Sequence, residues 1–191
     1  MLFRSPDLAR TEPDPEIQDL IRASGGTNVA LDYLPGAINF DPLVERPDAL
    51  LASSIVWFDA FVANVDRTAR NTNLLLWHRR LHLIDHGAAL YFHHDWASAD
   101  NAAASPFTRI ADHVLLPLAT RLREADASLA ARIGDDDIER IVAQVPDAWL
   151  AGEPAFADVA AHRRAYADHL RARLRQRDVF VEEAIRAHGH L

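Results

Sequence analysis

One apolar segment, residues 48–62, constrains the fold more than any other part of the chain. Its large apolar side chains recur at the spacing of one helix face, and these are Leu51, Ile55, Phe58 and Val62. Further apolar residues widen that face until little polar surface is left: Leu50, Trp57 and Phe61. We therefore expect a helix that is buried on most sides. The chain has 191 residues, of which 49% are hydrophobic, so it is long enough to form one domain around such a helix.

Shorter patterns predict further helices and one small β-hairpin. The apolar runs 73–77 and 81–85 are separated by a few residues around Arg79 and Arg80, which is typical of two paired strands and their turn. Another short strand is expected from residue 28 to the turn at Pro35 and Gly36. Helices are predicted at 16–23, from 108 onward, at 135–145, 156–176 and 178–187, and a loop at 95–106. The predicted fold class is mainly α with a small β-hairpin.

Two absences in the composition exclude several classes of enzyme. All 20 positive charges are arginine, and the chain contains neither lysine nor cysteine. Schiff-base chemistry and the Walker P-loop both need a lysine. Disulfides, thiolate metal sites and cysteine nucleophiles need a cysteine. A chain rich in alanine and arginine without lysine is also typical of GC-rich bacterial coding.

Charge and hydropathy narrow the expected partners. The formal net charge is −8, so we expect no direct nucleic-acid binding, which needs an excess of cations on one face. No stretch approaches 18 consecutive apolar residues, so no membrane span is expected. The absence of cysteine fits a reducing compartment, and we expect a cytoplasmic protein.

The residues that indicate chemistry lie around the predicted hairpin. A polar segment, residues 64–73, precedes the first strand, and Asp85, His86 and Gly87 follow the second. An antiparallel pair brings its first and last residues side by side, so we expect Asn73 to lie beside Asp85. The segment that carries Asp66 and Asn71 enters at the same end. Carboxylates and carboxamides gathered in this way are ligands that Mg²⁺ prefers.

This order of residues resembles the catalytic core of the protein-kinase-like superfamily. An Asp, an Asn about five residues later, a short hairpin and an Asp-x-Gly are found here as Asp66, Asn71, residues 73–85 and Asp85-His86-Gly87. The wording around them, Asn-Val-Asp-Arg and then Asn-Thr-Asn-Leu-Leu, resembles the HipA-like bacterial kinases from about residue 16 to 149. The resemblance implies a kinase-like C-lobe that uses ATP and Mg²⁺ and phosphorylates a protein hydroxyl on an unknown substrate.

The resemblance also implies a role for each site residue. Asp66 would be the catalytic aspartate and Asp85 the metal-binding one. Two residues are candidates for the metal-binding asparagine. Asn71 lies at the expected number of residues after Asp66, and Asn73 lies at the expected place immediately before the strand. Arg67 would neutralise developing phosphate charge. The backbone of Asp32-Tyr33-Leu34 resembles the hinge strand that contacts adenine.

The chain departs from the kinase pattern before the hinge-like residues. It has no Gly-rich loop and no lysine there, so we expect a truncated kinase that lacks its N-lobe. The expected organisation is a loose arm over 1–15, a hinge-like segment over 16–47 and a helical C-lobe over 48–191. The alternative is a non-catalytic pseudokinase remnant that acts as an interaction module. In either case the exposed face of the lobe would favour self-association.

Two further groups of side chains have a structural and a functional interpretation. A set of histidines could form a transition-metal site of a hydrolase, or could be surface groups: His78, His82, His86, His93 and His94. Six late arginines could dock an acidic partner, or could cover a solvated helix face: Arg163, Arg164, Arg171, Arg173, Arg175 and Arg177. We favour the structural interpretation of both.

Overall fold

The predicted central helix is present and forms the middle of the core. The computed structural model describes residues 2–4 and 6–191, and helix α2 spans Ala49–Phe61. Asp48 begins the helix by accepting hydrogen bonds from the backbone N–H groups of Leu50 and Leu51, each 3.0 Å long. Trp57 is almost fully buried and packs against Phe180 with ring centroids 5.6 Å apart. Burial extends round most of the helix, as expected, but Leu51 and Phe58 of the predicted apolar face are 42% and 37% exposed.

The other helices surround α2. They are α1 (Pro15–Ala23), α3 (Ala99–Ala103), α4 (Leu122–Ala130), α5 (Asp135–Val142), α6 (Asp147–Leu150), α7 (Val159–Arg175) and α8 (Arg177–His188). Short 3₁₀ helices are Pro6–Thr11, Tyr91–His94, Trp96–Ser98, Thr108–Asp112 and Leu116–Leu118. The fold class is mainly α with small β elements, as predicted. Over the described residues, every helix is too short or too polar to cross a membrane.

The predicted hairpin is present, but its register differs by one residue from the expected one. Strands β4 (Leu74–Trp77) and β5 (Arg80–Leu83) pair with Leu74 opposite Leu83. The turn is His78-Arg79, where both residues have positive φ, 47° and 63°. Two positive φ angles give the turn the twist that adjacent strands need. Asn73 consequently lies opposite Ile84, whose N–H donates to its carbonyl at 3.0 Å, and the prediction that it lies opposite Asp85 is wrong.

A third strand joins this hairpin, and the expected hinge strand is absent. Strand β3 (Ile38–Asn39) pairs antiparallel with β4, which the sequence did not indicate. Residues 29–34 form no regular element, and Tyr33 is 86% exposed. The alternating apolar residues there find no neighbouring strand, and a strand needs one to satisfy its backbone.

The N-terminal residues also differ from the expected loose arm. Strand β1 (Leu2–Arg4) pairs antiparallel with β2 (Gly26–Asn28), and a 3₁₀ helix follows β1. Met1 and Ser5, which belong to the predicted arm, lie outside the described residues. The predicted helix over 16–23 is confirmed as α1. Asp14 begins it by accepting from the N–H of Glu16 at 2.9 Å.

Helices α5, α7 and α8 follow their predicted positions, whereas the helix predicted from residue 108 is replaced by two 3₁₀ turns, and α4 begins only at Leu122. One arginine lies in an unexpected environment. The predicted loop over 95–106 contains α3, and α7 packs against it. Arg173 of α7 was expected on a solvated face, yet it is only 1% exposed. Its guanidinium donates to the carbonyls of Ala60 and Ala103, at 2.8 and 3.2 Å, and to that of Ser105. Burial lowers the pKa of Arg173 to about 10.

We expect replacement of Arg173 by Met to destabilise the fold, because buried carbonyls then lose their donors. The expected loss is about 2–4 kcal/mol of unfolding free energy. Arg175→Met is the matched control, since Arg175 is exposed on the same helix, and it should change stability by less than about 0.5 kcal/mol. Urea denaturation of both variants measures the difference. Equal losses would show that the carbonyl contacts of Arg173 contribute nothing.

Stability should also fall as the pH falls, because of one buried histidine. Burial, together with the charge of Arg173, lowers the pKa of His169 to about 4. Its unfolded value is higher, so the unfolded chain takes up the proton first as the pH drops from about 6.5 towards 4. Unfolding free energy compared at pH 7 and pH 4.5 should show a smaller loss in His169→Gln than in the parent. His190→Gln, at an exposed position, should lose as much as the parent.

Candidate functional site

The polar segment after α2 folds into a tight loop through local hydrogen bonds. The N–H of Asn64 donates to the carbonyl of Asp59 at 2.8 Å, and the Asn64 side chain accepts from the N–H of Asp66 at 3.2 Å. Further along, the N–H of Thr68 donates to the Asn71 carbonyl at 3.0 Å, and the Thr68 hydroxyl accepts from the Asn71 N–H at 3.3 Å. Side chains of this kind fix turns without a regular element. The loop therefore presents Asp66, Asn71 and Asn73 together.

The Asp66 carboxylate contacts both candidate asparagines. Asn71 Nδ2 donates to Asp66 Oδ2 at 2.7 Å, and Asn73 Nδ2 donates to the same oxygen at 3.1 Å. Each amide thus uses its nitrogen on Asp66. Among the described residues, no donor contacts the Oδ1 oxygen of either asparagine, so both oxygens are free to bind a cation. The structure keeps both asparagines as candidates.

Asp85 lies at the same end of the hairpin, directly after β5. Its φ is +48°, and that of Asn73 is +46°, a region that Asp and Asn tolerate better than most side chains. The Gly87 N–H donates to Asp85 Oδ1 at 3.4 Å. A Cβ at Gly87 would lie 3.3 Å from that oxygen, so the glycine leaves the carboxylate room. The carboxylate itself is exposed.

A cleft of about 530 Å³ opens between this loop and β3. Its polar lining comes from both sides, and the residues are Asn39, Asp41, Arg70, Asn71, Thr72 and Asn73. Arg70 is exposed there and makes no ion pair with any described residue. The cleft therefore has one free cation beside the asparagines that contact Asp66.

Beneath the loop, Asp59 of α2 forms the centre of a buried polar cluster. Its side chain is fully buried and accepts from Asn64 Nδ2 at 2.9 Å, from His113 Nε2 at 3.0 Å and from the Arg67 guanidinium. His113 Nδ1 accepts from the Leu115 N–H at 3.0 Å, so its Nε2 carries the proton. Burial alone would raise the pKa of Asp59, but the hydrogen bonds of His113 and Arg67 hold it below its ordinary value. The carboxylate is ionised at neutral pH.

Arg67 links this cluster to the loop that carries Asp66 and to the segment after β5. Its side chain is fully buried and donates to the Asn73 carbonyl and, at 3.1 Å, to His86 Nε2. An arginine only donates, so His86 accepts and is neutral. Burial and the charge of Arg67 lower the pKa of His86. The sequence-based expectation that Arg67 meets phosphate does not fit this position, because the guanidinium is enclosed by protein groups.

Other predicted residues lie apart from the loop. Asp32 and Tyr33 are exposed and Leu34 is half-buried in an irregular segment. Trp77 Nε1 donates to the carbonyl of the next residue, Pro35, at 2.9 Å and so joins the segment to the hairpin. His78 is in the hairpin turn, and His93 and His94 contact each other at 3.1 Å. Within residues 2–4 and 6–191, no three His, Asp or Glu side chains are grouped so that they could hold a metal by themselves.

Sequence reasoning missed Asp59 and His113. Asp59 had a usable signal, since it is an acidic residue within a helix predicted to be buried on most sides, and a buried carboxylate needs a partner. His113 had none, because it lies 54 residues along the chain from Asp59.

Comparison with known proteins agrees with the resemblance drawn from these residues. A family model described as HipA-like kinase matches residues 37–183, which is more than half of the chain. The chain therefore belongs to the HipA-like kinase family. The match includes Asp59, the loop with Asp66, Asp85 and His113. Searches of curated proteins and of solved structures gave no match.

Proposed function

We propose that the chain is a kinase-like C-lobe that binds ATP with Mg²⁺ and transfers a phosphoryl group to a protein hydroxyl. The observation that carries the proposal is the group formed by Asp66, Asn71 and Asn73 at 2.7 and 3.1 Å, with Asp85 at the same end of the hairpin. Family membership supports the class of reaction. The chemistry of the available donor atoms supports Mg²⁺ as the cofactor.

The donor set fits Mg²⁺ better than a transition metal. The available oxygens are the carboxylate of Asp85 and the amide oxygens of Asn71 and Asn73, and Mg²⁺ takes hard oxygen ligands. Mg²⁺ is commonly held by one or two carboxylates and completed by nucleotide phosphates and water. The lack of a self-sufficient group of His, Asp and Glu in the described part of the chain is compatible with that arrangement. When bound, the cation would neutralise phosphate charge.

In this proposal each side chain has a separate task. Asp66 orients the acceptor hydroxyl and takes its proton as the oxygen attacks the γ-phosphorus and the bond to the leaving ADP breaks. Asn71 and Asn73 hold the Asp66 carboxylate, and one of them would offer its oxygen to the cation together with Asp85. Arg70, the free cation of the cleft, replaces Arg67 as the candidate that meets phosphate.

We further propose that the segment Asp32-Tyr33-Leu34 before β3 contacts the adenine, as the family resemblance implies. The exposed backbone of Asp32 and Tyr33 belongs to no sheet, which leaves it available to hydrogen-bond an adenine.

The apolar side chains of Val29, Leu31 and Tyr33 are 65%, 75% and 86% exposed. They support the proposal that this face of the lobe self-associates.

We expect Asp66→Ala to reduce phosphoryl transfer at least about a hundredfold, because a positioned acid–base group contributes that much or more. The measurement is transfer of radiolabel from MgATP to the chain itself and to casein. Asp136→Ala, at an exposed aspartate on α5, is the control and should keep the parent rate. Equal rates in the parent and Asp66→Ala would contradict the proposed role. A parent that neither binds nor uses MgATP would favour the non-catalytic interaction module.

We expect Asp85→Asn to weaken binding of MgATP at least tenfold, because the cation loses a charged ligand. Isothermal titration calorimetry with MgATP measures this, and Asp136→Asn is the control. Asn71→Ala and Asn73→Ala decide between the two asparagines, since the one that holds the cation should weaken binding more. Unchanged binding in Asp85→Asn would contradict the assignment of that residue.

A further inference from the structure

We propose that Arg67, held in place by Asp59, is a positioning residue that keeps the Asp66 loop and the Asp85-His86-Gly87 segment at a fixed separation. Its consequence for catalysis rests on the proposed function, whereas its consequence for the structure can be measured on the chain alone. Neither residue touches the cleft, so the action is indirect.

A single guanidinium reaches three separate parts of the chain. Arg67 donates to Asp59 on α2, to the carbonyl of Asn73 at the start of β4, and to His86 after β5. The planar guanidinium has five N–H donors in a fixed geometry. These three acceptors therefore cannot change their relative positions while all the hydrogen bonds are kept. Two of the acceptors adjoin or belong to the proposed cation ligands.

Asp59 fixes the orientation of that guanidinium. Its Oδ2 accepts from Arg67 Nε and from His113 Nε2, and its Oδ1 accepts from Asn64 Nδ2 and, at 3.4 Å, from Arg67 Nη2. Both side chains of the ion pair are fully buried. Both carboxylate oxygens are therefore satisfied. Because a buried ion pair is often no more stabilising than apolar residues of the same size, we assign this pair to fixing a geometry.

Backbone hydrogen bonds bring the same two segments together and supply the means of detection. The Val65 N–H donates to the Ala88 carbonyl at 3.2 Å, next to Asp66, and the Ile84 N–H donates to the Asn73 carbonyl at 3.0 Å, next to Asp85. The Asn73 carbonyl thus accepts from both Ile84 and Arg67. The Ala89 N–H also donates to the His86 carbonyl at 3.0 Å. When Arg67 is lost as a donor, the amides of Val65, Ile84 and Ala89 should open more often while the helical core stays closed.

The first test is Arg67→Lys, which keeps the positive charge beside Asp59 but has one ammonium in place of the fork. Amide hydrogen exchange of the intact chain should become at least tenfold faster at Val65, Ile84 and Ala89, with α4 and α8 unchanged. Arg173→Lys is the matched control, because Arg173 is an equally buried arginine that contacts none of Asp59, Asn73 and His86. It should leave exchange at Val65, Ile84 and Ala89 as in the parent.

A second variant keeps the buried ion pair and so guards against a failure of Arg67→Lys to fold. His86→Phe removes the acceptor of Arg67 Nη2 and retains a ring against Phe58, whose centroid lies 5.8 Å from that of His86. It should speed exchange at Val65 and Ala89 and leave the rest of the chain unchanged. Faster exchange spread evenly over the whole chain, or unchanged exchange at Val65, Ile84 and Ala89 in both variants, would overturn the proposal.

Kinetics with MgATP separates this inference from the proposed function. In Arg67→Lys, kcat should fall at least tenfold, while KM for MgATP changes less than kcat and Arg173→Lys retains the parent kcat. Equal kcat values in Arg67→Lys and Arg173→Lys would contradict the positioning role. If the parent transfers no phosphoryl group, the proposed function fails, and the exchange measurements alone decide whether Arg67 holds the two segments.

Discussion

The fold of the site depends on one buried ion pair, Asp59 with Arg67. Removing two opposite charges from water is costly, and the cost is met only when every polar atom finds a partner. Asn64 and His113 supply the remaining partners of Asp59. The segments that carry these residues are consequently drawn to one point beneath the candidate loop. Backbone contacts join the same segments. The Arg67 carbonyl accepts from the Val114 N–H at 3.0 Å, and Thr68 forms an isolated antiparallel β-bridge with His113.

Local patterns predicted the parts of the fold that local physics decides. The apolar run that ends near Val62 placed α2 within a residue at each end, and the paired apolar runs predicted β4 and β5. The hairpin register was wrong by one residue because His78-Arg79 forms the turn without a Gly or Asn to mark it. Strand β3 was missed since two residues carry no periodicity, and the expected strand before Pro35 has no partner.

The candidate site, too, has a part that the sequence predicts and a part that it does not. The grouping of Asp66 with Asn71 and Asn73 follows from their nearness in sequence, and the hairpin brings Asp85 to the same end. The interior support could not be inferred, because hydrogen bonds such as that between His113 and Asp59 join distant parts of the chain. The two buried arginines show the same limit. Arginine side chains are usually exposed, and only the carboxylate around Arg67 and the carbonyls around Arg173 explain why these two are buried.

The left-handed backbone at Asn73 and Asp85 has a consequence for how the family is interpreted. With φ near +46° and +48°, these two positions favour Asn, Asp or Gly for steric reasons alone. Selection for folding and selection for cation binding therefore act on the same residues. A relative that has lost phosphoryl transfer would still be under pressure to keep an asparagine or an aspartate there. Sequence identity at these positions marks a shared turn geometry first, and activity in such a family is better recognised from residues without that constraint, such as Asp66.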